Sequence, residues 1–340
     1  MITRRTFGKA VGATAATASL AGMTTTSASA SGSGGSYVHG LGQLKKVRTE
    51  LLEIAYYEAG PATGPVVLLG HGWPYSPYAF VEVVPELVRR GYRVLTPFLR
   101  GHGQTIFLSA DTFRSGQQAA LGSDWIAFMD ALKIPRAVFA GYDWGGRGLC
   151  VAAALWPERC AALVSVNSYL VQNLDPKLAV NPAAPAVEAA QWYFDYLTTE
   201  RGKNGLTQNR KEIARVVWTK NSPTWRYTEA DLDRAASLMT NPDYVAVVLH
   251  VYRHRRLTEP GDPRYDRLEA LLRKQPPITV PTVTLDGKDD GNFPWTDGKP
   301  SAFHFTGPRV HHVVQGAGHN LPQEKPQAFV QAIFQAARLH

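Results

Sequence analysis

In the stretch AVFAGYDWGGRG, residues 137–148, a short apolar run ends abruptly in a glycine-rich turn with a carboxylate, Asp143, at its centre. The run Ala137–Ala140 is flanked by turn residues and reads as a buried strand of a mostly parallel sheet. Gly141, Gly145 and Gly146 permit a tight strand-to-helix turn, and residues 147–156 are expected to continue as helix. The spacing Gly141-x-Asp143-x-Gly145 is that of a turn presenting a nucleophile, with aspartate where serine usually stands. What the aspartate implies decides the reading of the chain.

Outward from this turn, strand and helix signals alternate. Residues 47–57 alternate as strands, Val66–Leu69 is a short buried strand, and residues 76–90 have helical spacing. Arg93–Pro97 then reads as strand, residues 117–132 as helix and Ala162–Val166 as strand. From 168 to 258 the pattern changes to helix-like, aromatic-rich segments punctuated by Pro182, Pro185, Pro223 and Pro242. Strand signals return at 279–285 and 309–314, and 325–337 makes a closing helix. The expected fold is α/β: a mostly parallel sheet with helices on both faces, its core split into residues 45–167 and 259–340. The helical segment 168–258 would form a lid over the carboxyl ends of the strands, where such sheets do their chemistry.

With 340 residues, 44% hydrophobic and 19% charged, the chain has the composition of an ordinary globular protein with a sizeable core. Residues 1–30 stand apart. Arg4 and Arg5 in TRRTFGK precede a weakly apolar run and then Ala28-Ser29-Ala30, the order of a twin-arginine export signal, so an exported, extracytoplasmic protein is expected. The run is too polar to span a membrane. Residues 31–44, beginning SGSGGS, read as a flexible leader. Losing the first thirty residues removes three basic side chains and no acid, taking the net charge from +8 to +5. The remaining basic residues are scattered apart from Arg253, Arg255 and Arg256, with no aromatic-interleaved stripe for nucleic acid. Cys150 and Cys160 are expected as buried free thiols. No H-E-x-x-H suggests a metal, His311 and His312 lie in a predicted strand where neighbours face opposite ways, and the glycines at 141, 145 and 146 do not follow G-x-G-x-x-G.

Four motifs, HGWP at 71–74, GYDWGG at 141–146, LDGKDDG at 285–291 and GAGHN at 316–320, make residues 45–338 resemble an α/β-hydrolase of the epoxide hydrolase type. The most specific is Asp followed by Trp in the turn. In this fold the chain order is nucleophile, acid, histidine, which Asp143, Asp290 and His319 satisfy. Asp289 competes with Asp290 and Asp286 is more remote; the family's spacing from Gly287 points to Asp290. The resemblance further implies that the backbone amides of Trp73 and Trp144 stabilise an oxyanion, that His71 is structural, and that Tyr193 in WYFDYLTTERG and Tyr252 in HVYRHR are lid donors, Tyr196 being the substitute for Tyr193. No cofactor is implied.

A serine at such a turn makes an acyl-enzyme; a carboxylate doing the same would make an anhydride, a poor intermediate. Carboxylates instead displace leaving groups at saturated carbon, giving an alkyl ester that water can hydrolyse. The expected substrates are therefore an epoxide, opened to a vicinal diol, or a carbon–halogen compound, with water as second substrate and His319 as its general base. Haloalkane dehalogenases share the Asp-Trp pair but often place Asn where Trp73 stands. Fluoroacetate dehalogenases resemble the chain at Gln191–Trp192 and Arg147 but carry arginine where Trp144 stands. A ligand-binding homologue without catalysis is the third reading, opposed by the complete set of three residues. The aromatics Trp192, Tyr196, Trp218 and Trp225 suggest an apolar or aryl small-molecule substrate. The sequence gives no oligomeric state.

Overall fold

A computed structural model describes residues 36–339 apart from residue 180; the export signal and the first residues of the leader lie outside the described residues. Among the described residues ten strands form one sheet: β1 Tyr37–Val38, β2 Gly42–Arg48, β3 Leu52–Ala59, β4 Val66–Gly70, β5 Arg93–Pro97, β6 Ile106–Phe107, β7 Ala137–Gly141, β8 Cys160–Val166, β9 Thr282–Gly287 and β10 Arg309–Val314. Their spatial order is β1-β2-β3-β5-β4-β7-β8-β9-β10, with β6 paired to β3. The run from β5 to β10 is parallel, and β1, β2, β3 and β6 add an antiparallel flank. Every residue of β7 is buried, as a continuous apolar strand in the middle of a parallel sheet requires, and every residue of β9 is buried too, its threonines and Asp286 included.

The helices are α1 Val84–Arg89, α2 Gln118–Ala131, α3 Asp143–Leu155, α4 Pro176–Ala179, α5 Pro185–Ala190, α6 Trp192–Tyr196, α7 Glu200–Gln208, α8 Arg210–Asn221, α9 Glu229–Ser237, α10 Tyr244–Arg255, α11 Asp266–Leu272, α12 Leu321–Glu324 and α13 Pro326–Ala336. Helices α4 to α11 are all inserted between β8 and β9, so the chain leaves the sheet after β8 and returns one strand over. Cys150 and Cys160 are buried free thiols.

Local chemistry moved several boundaries. The helix expected over 76–90 is divided: Ser76 caps a 3-10 turn, Pro77–Phe80, and Pro85 opens α1, because a proline lacks the amide that would continue a helix through it. Residues 47–57 belong to two strands separated by a turn in which Thr49 Oγ1 bonds Leu52. Pro281 delays β9 to Thr282. The leader expected to run to residue 44 is shorter, since Tyr37 and Val38 pair with Gln43 and Gly42 and make the sheet begin there. Helix α11 lies beyond the expected end of the helical segment at 258.

Candidate active site

Asp143 sits where β7 turns into α3. Its φ of 49° is left-handed, an unfavourable conformation for a residue with a Cβ and one that clusters at functional turns. The turn is tight enough that a Cβ on Gly145 would lie 2.3 Å from the carbonyl carbon of Gly70 in β4, so only glycine fits. Gly145 N–H donates to His71 O at 2.9 Å, pinning the start of α3 to the loop after β4. That loop brings Trp73 N–H to Asp143 Oδ1, 2.8 Å away. His71 is buried and bridges Gly72 O through Nδ1 and Leu99 N–H through Nε2; burial lowers its pKa to about 3, which keeps it neutral and structural.

His319, in the loop after β10, faces both carboxylates. Its Nδ1 lies 2.9 Å from Asp290 Oδ2 and its Nε2 3.4 Å from Asp143 Oδ2. Asp290 is itself held by the amides of Asn292 and Phe293 on Oδ1, at 2.7 and 2.9 Å, and by Asn167 Nδ2 on Oδ2 at 3.0 Å. Asp289 instead faces outward, its Oδ2 accepting from Thr224 Oγ1, and Asp286 is taken up by Thr296. Burial opposes the charge on His319, but Asp290 and Asp143 outweigh it and raise the imidazole from 6.5 to about 10. Burial likewise opposes ionisation of Asp143, and the His319 bond, the charge of Arg147 and the Trp73 amide reverse that, lowering its pKa. The resting site is an ion pair, carboxylate to imidazolium to carboxylate.

The inserted helices set aromatic rings over this triad. Trp73 stacks on Trp144, with centroids 5.8 Å apart, and its ring lies 5.6 Å from Tyr193 and 5.5 Å from Tyr252. Tyr193 on α6 and Tyr252 on α10 meet edge to face at 5.7 Å. The Tyr193 oxygen accepts from Asn292 Nδ2 at 3.1 Å and Asn221 Nδ2 at 3.4 Å, which aims the phenol and leaves its proton to give. Burial raises both phenols far above 10, helped by Asp143 at Tyr193 and by Tyr193 and then Asp143 at Tyr252, so both are protonated at neutral pH. Tyr196 packs against Trp192 and rests its hydroxyl over Gly205, away from the triad.

The structure therefore brings together Asp143, Asp290, His319, Tyr193, Tyr252 and the Trp73 amide. Of the two expected oxyanion amides only that of Trp73 bonds Asp143 among the described residues; Trp144 contributes its stacked indole. Sequence reasoning missed Asn167, Asn221, Asn292, and the pair Ser222 and Glu324. Ser222 Oγ accepts from His319 N–H at 3.0 Å and donates to Glu324 Oε1 at 2.6 Å, while Glu324 also takes the amides of Gly318 and Asn320. No local pattern marks these residues, because Asn167, Asn221, Asn292 and Ser222 act on partners far away in the chain, and Glu324, which also takes two nearby amides, meets Ser222 across 102 positions.

A family model described as the alpha/beta hydrolase fold matches residues 65–326. The chain belongs to the α/β-hydrolase fold family. An epoxide hydrolase of Caballeronia sordidicola is 32% identical over 257 residues, covering 70% of this chain and 76% of that protein. Epoxide hydrolase A of Mycobacterium tuberculosis is 24% identical over 322 residues, covering 85% and 95%. Among solved structures, a Klebsiella pneumoniae protein provisionally assigned as an epoxide hydrolase superposes with a TM-score of 0.84 at 42% identity, covering 87% of this chain and 97% of that one.

Proposed function

We propose that this protein hydrolyses an epoxide to a vicinal diol through an ester on Asp143. The observation that carries the reading is an aspartate on the strained turn, 3.4 Å from an imidazole that a second aspartate holds at 2.9 Å. With Oδ1 on the Trp73 amide, Oδ2, which faces His319 Nε2 at 3.4 Å, is the attacking oxygen. Attack on a ring carbon opens the C–O bond, and the protonated Tyr193 and Tyr252 give the leaving alkoxide its hydrogen bonds and proton. Forming the ester removes one of the two negative charges that hold the proton on His319, so its basicity falls towards the range useful for a general base. His319 passes its proton to the phenolate left by the first step and, held by Asp290, then takes a proton from water as that water attacks the ester carbon. The charge that develops on Oδ1 stays on the Trp73 amide. Collapse breaks the bond from the ester carbon to the alkyl oxygen, which leaves as the diol with the proton of the added hydroxyl and restores the Asp143 carboxylate. The rings of Trp73, Trp144, Tyr193 and Tyr252 beside Asp143 support a substrate with an apolar body.

The haloalkane reading is disfavoured by the Trp73 indole, whose N–H is spent on Tyr244 Oη at 2.8 Å and is not available to a halide. Intact-protein mass spectrometry of His319→Gln, mixed separately with epoxides and haloalkanes, tests both readings. A gain equal to a whole epoxide, mapped to Asp143, is expected; a gain only with halogen compounds, with halide released, replaces epoxide opening by dehalogenation.

The location proposed is extracytoplasmic, by the twin-arginine route, supported by Arg4, Arg5 and Ala28-Ser29-Ala30. Replacing both arginines by lysine should trap the full-length chain inside the cell; unchanged export in a fractionation assay removes the proposal.

A further inference from the structure

Two arginines beside the site touch no reacting group in this reaction, although the charge of one, Arg147, helps to keep Asp143 ionised. Arg147 stands four residues after Asp143 on α3, one turn along the same face, and is only 4% exposed. Its Nε has no partner, and among the described residues neither its guanidinium nor that of Arg255 forms an ion pair or side-chain hydrogen bond. The contrast with their neighbours is sharp. Arg256 pairs with Asp195 at 2.8 Å, Arg253 with Glu200 at 3.2 Å, and the buried Arg100 with Asp124 at 2.7 Å. Taking a guanidinium out of water without a counter-charge is costly, and proteins ordinarily pair such groups.

Both arginines line one cavity of about 340 Å³. Phe293 is also in its wall and stands 5.7 Å, ring to ring, from His319. The Arg255 guanidinium lies 4.1 Å over the Phe194 ring, which also packs against Tyr193 at 4.8 Å and Tyr252 at 5.3 Å. The cavity is thus one ring away from the imidazole and from a phenol of the triad's roof, and one helical turn from the nucleophile. Burial lowers both arginines, and the charge of Arg147 helps bring Arg255 down to about 9, whereas Arg147 itself faces the charge of Asp143; the two guanidiniums together therefore keep one positive charge without a counter-ion. The one carboxylate in the wall, Asp286, does not supply the missing charge. Its Oδ2 accepts the N–H and hydroxyl of Thr296, with His311 Nε2 4.0 Å away, and burial raises its pKa.

We propose that Arg147 and Arg255 form a subsite for a carboxylate, and that the substrate is an epoxide carrying a carboxylate group on its apolar body. The second clause rests on the epoxide reading; the first does not. A carboxylate matches the planar donor fork of a guanidinium, and its single charge offsets the excess positive charge in the cavity. It would also fix which way round the epoxide lies over Asp143.

The competing explanation is that Arg147 serves only to keep Asp143 ionised. Turnover of 3-phenylglycidate and of its neutral amide, 3-phenylglycidamide, separates the two. The acid should be preferred by about tenfold or more in kcat/KM, and Arg147→Gln and Arg255→Gln should each erase about tenfold of that preference, mainly through KM. Arg147→Lys keeps the charge beside Asp143 but loses the fork, so it should restore amide turnover without restoring the preference. Equal losses on acid and amide, or a wild-type enzyme indifferent to the charge, overturn the subsite. The unreactive 3-phenylpropionate, titrated into the full chain by calorimetry, tests the subsite without any epoxide chemistry. If no epoxide is opened but 3-phenylpropionate binds and Arg255→Gln weakens it about tenfold, the epoxide reading has failed and the subsite stands. Binding that Arg255→Gln leaves unchanged overturns the subsite, whatever the enzyme turns over.

Discussion

His319 stands between two carboxylates, and its proton links the site to the stability of the whole fold. Its pKa is about 10 in the folded protein against 6.5 in the open chain, so its contribution is complete below pH 6.5 and is lost as the pH rises through 10. Asp143 is shifted the other way, so its contribution is present above 3.8 and is lost as acid takes the pH down through its depressed value. The melting temperature of the wild type should therefore fall between pH 6.5 and 10 more steeply than that of His319→Gln; parallel curves would mean that the imidazole is not held charged. The tyrosines give a second prediction at this scale. Tyr193→Phe and Tyr252→Phe should each slow formation of the Asp143 ester from an epoxide by about 10²-fold, because an alkoxide leaves poorly without its proton. Single-turnover quenching of the stacked Trp73 and Trp144 would follow that step. Unchanged rates in both variants would mean that the leaving alkoxide takes its proton from another donor.

The elements explain why these residues meet. Strands β4 and β7 are paired with Gly70 opposite Gly141, and the loops at their carboxyl ends are the ones that carry Trp73 and Asp143. Gly145 is the point where the α3 backbone touches β4. Gly145→Ala places a methyl group against that backbone and should cost roughly 1–3 kcal/mol, read as a lower denaturant midpoint, with a larger fractional loss of kcat because Asp143 moves with the turn. This part of the fold was legible in the sequence: glycines at fixed offsets from an apolar run have one backbone solution, and the loops holding Asp290 and His319 each follow a strand, β9 and β10. The supports were not. Asn292 reaches Tyr193 across 99 positions of the chain, Ser222 reaches His319 across 97, and Asn167 reaches Asp290 across 123. No periodicity or spacing encodes such pairs, since they exist only after the helices between β8 and β9 have packed against the sheet. Tyr193 and Tyr196 are three residues apart on α6, and only docking of that helix decides which one faces the triad.

At the scale of the whole molecule, the sheet supplies the nucleophile, the acid and the base, and the inserted helices supply the two phenols, so the reaction needs both parts in register. Their contact is aromatic. Trp218 on α8 stacks on Tyr75 with centroids 5.3 Å apart and planes 9° from parallel, donates its indole N–H to Pro74 O at 3.2 Å, and packs beneath Trp225 and Tyr227. The same helix ends at Asn221, whose carbonyl accepts the His319 amide at 3.2 Å and whose side chain reaches Tyr193. Trp218 thus holds the HGWP loop and the end of the helix that steadies both the base and a phenol. Trp218→Ala leaves a large cavity and should cost about 3–5 kcal/mol of stability. Because the phenols act only in the first step, its ester formation from an epoxide should slow together with this loss, whereas Trp218→Phe, which keeps the stack but not the hydrogen bond, should retain most of the rate. If Trp218→Ala is destabilised while its single-turnover rate at low temperature is unchanged, the inserted helices hold their register without this contact, and the coupling between the two parts must run through α10 and the Trp73–Tyr244 bond instead.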